Sequence, residues 1–180
     1  AYDIRGHISL LTPELVKAIA YGLVMQYQKL GQTQLAIGYD ARLTSPQYAE
    51  IIRQVCQEKG LHAIIIGCCS TPLLYFIARQ FEGNGIMLTA SHNAKTDNGV
   101  KWIIQGEPPC PEMIQQAGQD SKKYFVPKAA AHTVLAEQRV FPEFCLQYQH
   151  SLLSDIQLKH PVKVVLDGLN GSAGRCAAPR

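Results

Sequence analysis

Short apolar runs alternate with helical patterns that open on a hydroxyl residue and a proline, and this alternation decides the fold class. Leu35 to Asp40 is a buried strand that runs into Ala41-Arg42-Leu43-Thr44-Ser45-Pro46. Ser45 and Pro46 begin a helix whose inner face is Tyr48, Ile51, Ile52, Val55 and Cys56, stopped at Gly60. His62 to Gly67 is a further strand through Ala63, Ile64, Ile65 and Ile66, and Thr71-Pro72 then opens a helix carrying Leu73, Leu74, Ile77 and Phe81. Nearer the N-terminus, Thr12-Pro13-Glu14 starts a helix with Val16, Ile19, Ala20, Leu23, Val24 and Tyr27 at helical spacing, ended by Gly31. A hydroxyl can satisfy an orphan N–H of the first turn, and proline there loses a donor that has no intrahelical partner. Strands and helices in this order form α/β layers, here a mixed sheet sandwiched between helices on both faces.

Tyr2-Asp3-Ile4-Arg5-Gly6 reads as a first strand breaking into a turn. Ile86 to Leu88 and Val100 to Ile104 are further strands, followed by a short helix from Pro111 to Gln119. From Asp120 to His132 the pattern weakens to a surface connection, and a last helix runs from Pro142 to about Ile156 with Phe144, Cys145, Tyr148 and Leu152 on one side. Pro161 to Asp167 is a new apolar strand, and Gly168 to Gly174 is the glycine-rich turn after it. Such a turn either cradles a phosphate on its backbone N–H groups or simply connects strand to helix. With 180 residues against roughly 100 to 150 for a typical domain, the expected division is one domain over 1–157 and the start of a second over 158–180.

Hydrophobic content of 47% is that of a globular chain, and no apolar run approaches the roughly 20 residues of a membrane helix. The net charge of +3 is small and its 17 basic residues are scattered, so neither membrane nor nucleic acid is an expected partner. The residues that open the sequence lack the charged, apolar and small-residue pattern of a secretory signal, so none is expected. The six cysteines lack the Cys-x-x-Cys spacing of a zinc site, and the expectation is buried free thiols in a reducing cytoplasm.

Between the strands at Ile86 and Val100 lies Thr89-Ala90-Ser91-His92-Asn93-Ala94-Lys95-Thr96-Asp97-Asn98-Gly99, a loop of hydroxyl, imidazole, amide and cationic groups closing on an Asn98-Gly99 turn signal. Ser91 is the candidate reactive group; residues of these types also populate ordinary turns. On an extended segment adjacent side chains diverge, so Ser91 and His92 are not expected to act as nucleophile and base.

The order of residues is more specific than their types. Thr89-Ala90-Ser91-His92-Asn93 followed by Asn98-Gly99-Val100-Lys101 closely resembles the active-site loop of the α-D-phosphohexomutases. Tyr2-Asp3-Ile4-Arg5-Gly6 matches the opening motif of the family's phosphomannomutase/phosphoglucomutase branch, and Gly38-Tyr39-Asp40-Ala41-Arg42-Leu43-Thr44 resembles its second loop. The resemblance implies that Ser91 carries a phosphoryl group, exchanged between hexose 1-phosphate and hexose 6-phosphate through a hexose 1,6-bisphosphate. Arg5 and Lys101 are then the cations beside the phosphoserine, and Mg2+ touches Ser91 through its phosphate. His92, Asn93, Asn98, Gly99, Asp40 and Arg42 support the loop or substrate. Lys101 is also placed to exchange a proton with the sugar. The family's metal-binding Asp-Gly-Asp-Gly-Asp-Arg loop and later sugar- and phosphate-recognition loops are not in this sequence, which implies an N-terminal piece inactive by itself. The family's proline after Thr-Ala-Ser-His-Asn is here Ala94. A sugar-phosphate-binding module and a serine hydrolase are the other readings; the hydrolase pattern Gly-x-Ser-x-Gly does not surround Ser91.

Overall fold

A computed structural model of the chain describes residues 3–127, 141–165, 167–168 and 171–172. Five strands, β1 (Ile4–His7), β2 (Gln34–Tyr39), β3 (His62–Cys68), β4 (Gly85–Leu88) and β5 (Asp97–Ile103), form one sheet in the order β1-β5-β4-β2-β3. β2 is parallel to both β3 and β4, whereas β5 runs antiparallel to β4 and β1 antiparallel to β5. The sheet is mixed, as expected.

β2 lies inside the sheet and is covered on both faces, which is why its sequence is a continuous apolar run. Alternate residues serve the two layers. Leu35, Ile37 and Tyr39 join Ile86, Leu88, Val100 and Trp102 under helices α1 (Pro13–Lys29), α2 (Ser45–Glu58) and α4 (Pro111–Lys122). Ala36, Ile66 and Met87 pack beneath α3 (Thr71–Ala78) on the opposite face, with Phe144, Cys145 and Tyr148 of α5 (Pro142–Asp155) laid over it. Thr12 caps α1 by accepting the Leu15 N–H, and Pro13 takes its first turn. The buried Tyr27 hydroxyl ties α1 to the sheet through the carbonyls of Gly85 and Ile103.

Four expectations are corrected. α4 continues three residues past Gln119, and Asp120 and Ser121, read as surface connection, are buried. A Cβ on Gly22 of α1 would lie 2.5 Å from the Ala117 carbonyl oxygen, so the missing side chain lets α4 dock closely enough to bury its last turn. Asn98-Gly99 does not close the loop, because both residues are already in β5, opposite Gly6 and Arg5 of β1. Residues 161–165 form no strand; Val162, Val164 and Val165 are exposed, and a strand needs a neighbour to share its hydrogen bonds.

The fourth concerns the cysteines. Cys56, Cys68 and Cys69 are buried free thiols, with Cys56 and Cys69 pushed up to about 12 chiefly by burial, but Cys110 is exposed and Cys145 is disulfide-bonded. Cys145 sits on α5, a helix without a buried residue, so its sulfur is not sealed in the core as the other three are. Tyr2, Cys176 and most of the glycine-rich turn lie outside the described residues; the Gly171 N–H donates to the Gly168 carbonyl at 2.7 Å. No helix among the described residues is long and apolar enough to cross a membrane.

Candidate active site

The parallel strands β2, β3 and β4 all end on one side of the sheet, where an open α/β fold ordinarily leaves its crevice. A cleft of about 880 Å³ lies there, lined among others by Asp40, Arg42, Thr44, Thr71, Thr89 and Ser91. The candidate loop therefore enters the cleft directly from the end of β4.

Ser91 is exposed and its φ is +56°, the left-handed region. For a residue with a Cβ this costs about 1–2 kcal/mol, so surrounding contacts must hold it. Its N–H donates to Thr89 Oγ1 at 2.9 Å, and its carbonyl accepts from an Arg42 guanidinium nitrogen at 3.1 Å. This backbone overturns the extended geometry expected at Ser91. Its Oγ and His92 Nδ1 lie on the same side, 3.4 Å apart, because a left-handed residue turns the chain where an extended one would send neighbours to opposite faces.

Arg42 is the main brace. Its guanidinium donates to four backbone carbonyls of the loop, those of Ser91, Asn93, Ala94 and Asp97. Asp40, just past β2, orients it by accepting from both its Nε and its backbone N–H at 3.0 Å, and also accepts a hydrogen bond from the Ser45 hydroxyl at 2.8 Å. A planar fork with five donors suits this task, which a lysine could not repeat. Asn98 is fully buried, donating to the hydroxyls of Thr44 and Ser45 at the start of α2 and accepting the Gly99 N–H. Asn93 donates to Asp97 at 3.0 Å and accepts from Arg5 at 2.9 Å.

The two expected cations share one face of the β1–β5 ladder. Arg5 pairs with Gly99, and Lys101 stands two residues further along β5. Asp3, also two residues from Arg5, joins them. Its Oδ2 accepts from Arg5 Nη2 at 2.8 Å and lies 3.6 Å from Lys101 Nζ. Arg5 also donates to the Ala90 carbonyl, so it reaches the base of the serine loop. Thr89, Asp97 and Asp3 were not singled out by the sequence reading. A threonine two residues before the serine and an aspartate two before the arginine were its available signals, since hydroxyls bond backbone two residues on and strand residues share a face at that spacing.

A family model for phosphoglucomutase/phosphomannomutase, alpha/beta/alpha domain I, matches residues 1–124. The chain belongs to the phosphoglucomutase/phosphomannomutase family. A Neisseria meningitidis phosphoglucomutase is 32% identical over 179 residues, covering 98% of this chain and 38% of that protein. A Pseudomonas aeruginosa phosphomannomutase/phosphoglucomutase is 32% identical over 176 residues, covering 97% of this chain and 37% of that one. A Burkholderia thailandensis phosphoglucomutase/phosphomannomutase family structure superposes with a TM-score of 0.75 at 24% identity over 90% of this chain and 36% of its own, a likeness of fold. The chain thus spans under two-fifths of the relatives it matches.

In this member of the family Ala94 stands after the Asn93 of the serine loop, and its carbonyl, which proline would keep, accepts from Asp97 N and from Arg42. We expect Ala94→Pro to raise stability by about 0.4–1 kcal/mol through unfolded-state entropy. Denaturant unfolding checks it, and a loss of stability would show that the φ of Ala94 is not one a proline ring accepts. Among the described residues no group of three or more His, Cys, Asp or Glu side chains could hold a metal ion.

Proposed function

We propose that the full-length protein is a phosphohexomutase that interconverts the 1- and 6-phosphates of glucose or mannose, with Ser91 as its phosphoryl store. The observation carrying this reading is Ser91 itself, exposed at the cleft, held in a left-handed turn from both of its backbone groups, with Arg5 and Lys101 on the adjoining strands. In the first half-reaction the bond from Ser91 Oγ to phosphorus breaks and a new one forms to the free hydroxyl of the hexose monophosphate; Lys101, neutral at the start of the step, takes that hydroxyl's proton, and the departing Ser91 Oγ is reprotonated as the step closes. The resulting hexose 1,6-bisphosphate turns around and returns its other phosphoryl to Ser91. A phosphoserine carries about −1.5 to −2 charge; Arg5 offsets it throughout, and Lys101 adds a positive charge once it has taken the hydroxyl proton.

Asp3, Asp40, Arg42, Asn93, Asn98 and Gly99 keep loop and cations in register and neither give nor accept the transferred phosphoryl group. Magnesium would meet this chain at the phosphate on Ser91, and its remaining ligands would come from the part of the family's length this chain does not span. For the same reason we expect these 180 residues alone to turn over no substrate.

Hexose phosphates argue for a cytoplasmic enzyme, whereas the disulfide at Cys145 belongs to an oxidising compartment. Intact mass and non-reducing peptide mapping of the protein from its native cells address both points. We expect a longer chain with one phosphate on the peptide containing Ser91; whether Cys145 is recovered as a disulfide decides the compartment. A 180-residue chain without phosphate would replace the mutase reading with a sugar-phosphate-binding module.

A further inference from the structure

Ser91 has no glycine's freedom, yet it is the loop residue with φ in the left-handed region. Left to itself it would relax to negative φ, and its Oγ would leave its present direction. Two side chains prevent this. Thr89 is 5% exposed and its own N–H is fixed to the Gly99 carbonyl of β5 at 2.9 Å, so its hydroxyl is a rigid acceptor for the Ser91 N–H. Arg42, anchored on Asp40 at the end of β2, holds the Ser91 carbonyl. The serine is thus gripped on either side of its Cα from two different parts of the sheet.

We propose that Thr89 is a positioning residue: its hydroxyl, working with the Arg42 guanidinium, locks Ser91 in the left-handed turn that aims Oγ into the cleft for phosphoryl transfer. The methyl group of Thr89 would serve packing equally well as valine, so the hydroxyl is what the function needs. The transfer half of this proposal rests on the phosphoserine reading; the conformational half does not.

The test uses the full-length protein with Thr89→Val, Thr89→Ser and Arg42→Lys, measuring kcat, KM for hexose 1-phosphate and hydrogen exchange at the Ser91 amide. Thr89→Val should lower kcat roughly 10- to 100-fold, as small misplacements of a reacting group do, with KM within about twofold. The Ser91 amide should exchange about tenfold faster, as expected when a hydrogen bond of ordinary net strength is lost. Thr89→Ser should restore both, and Arg42→Lys should repeat the kcat loss. Wild-type kcat in Thr89→Val, or unchanged protection of the Ser91 amide, overturns the proposal. If the valine variant does not fold, Arg42→Lys decides: wild-type kcat and wild-type Ser91 protection together overturn it. Should the wild-type protein show no mutase activity while Ser91 exchange still depends on Thr89, the mutase reading fails and the conformational lock stands.

Discussion

Ser91→Ala in the full-length protein is expected to lower phosphoryl transfer by roughly 10⁴-fold or more, because the oxygen proposed to store the phosphoryl group is gone. Stability should change by no more than about 0.5 kcal/mol, since the side chain is exposed and, among the described residues, its oxygen meets His92 alone, at 3.4 Å. Steady-state kinetics and a denaturant midpoint on one preparation separate these effects. Ser91→Gly sharpens the comparison. It should be equally inactive, yet more stable than the alanine variant by about 0.5–1 kcal/mol, because glycine removes the left-handed strain at φ +56° and gives back part of the gain as unfolded-state entropy. Near-normal turnover by either variant would end the phosphoserine mechanism. An alanine variant as stable as the glycine variant would mean that the turn at Ser91 is not strained.

Gly99→Ala is the substitution with the largest expected cost to the fold around the site. A Cβ there would lie 2.4 Å from the Ile4 carbonyl oxygen, 2.9 Å from that of Thr89 and 3.0 Å from Cγ of Arg5. Two of these are backbone oxygens on either side of β5, so neither can swing away as a side-chain tip could. Overpacking of this kind costs about 1–3 kcal/mol. Relief requires β1 to move outward, which carries Arg5 and Asp3 away from Lys101, so transfer should fall along with stability. Gly6→Ala is the control, because nothing lies within 4 Å of a Cβ at that position; it should stay within about 0.5 kcal/mol of the parent. A Gly99→Ala protein with parental midpoint and activity would show that the β1–β5 ladder is looser than these distances imply.

The contrast between these two glycines shows where sequence reasoning stopped. Asn98-Gly99 is a turn signal by residue type, yet tertiary contact places both residues in β5 and uses the glycine for close approach of Ile4 and Thr89. Nothing in the local sequence announces a backbone oxygen from ninety-odd residues away. The strands β2, β3 and β4 and the helices between them were legible because their periodicity and their hydroxyl-proline starts are local properties. The last turn of α4 was not, since Asp120 and Ser121 are polar and are buried only because Gly22 lets that helix come close.

At the site, Ser91, Arg5 and Lys101 could be named from residue order and resemblance, and Arg42 as a brace. The sequence by itself determined the α/β layering and the chemistry on offer: a hydroxyl in an exposed loop after a buried strand, with cations on neighbouring segments. The tertiary structure decided the sheet order, which sets β1 against β5 and so joins Asp3, Arg5 and Lys101. It also decided the sign of φ at Ser91 and hence the side on which His92 stands. The physical reason is range. Helix starts and apolar periodicity are written within a few residues, whereas the conformation of Ser91 is held by a guanidinium 49 residues away in sequence.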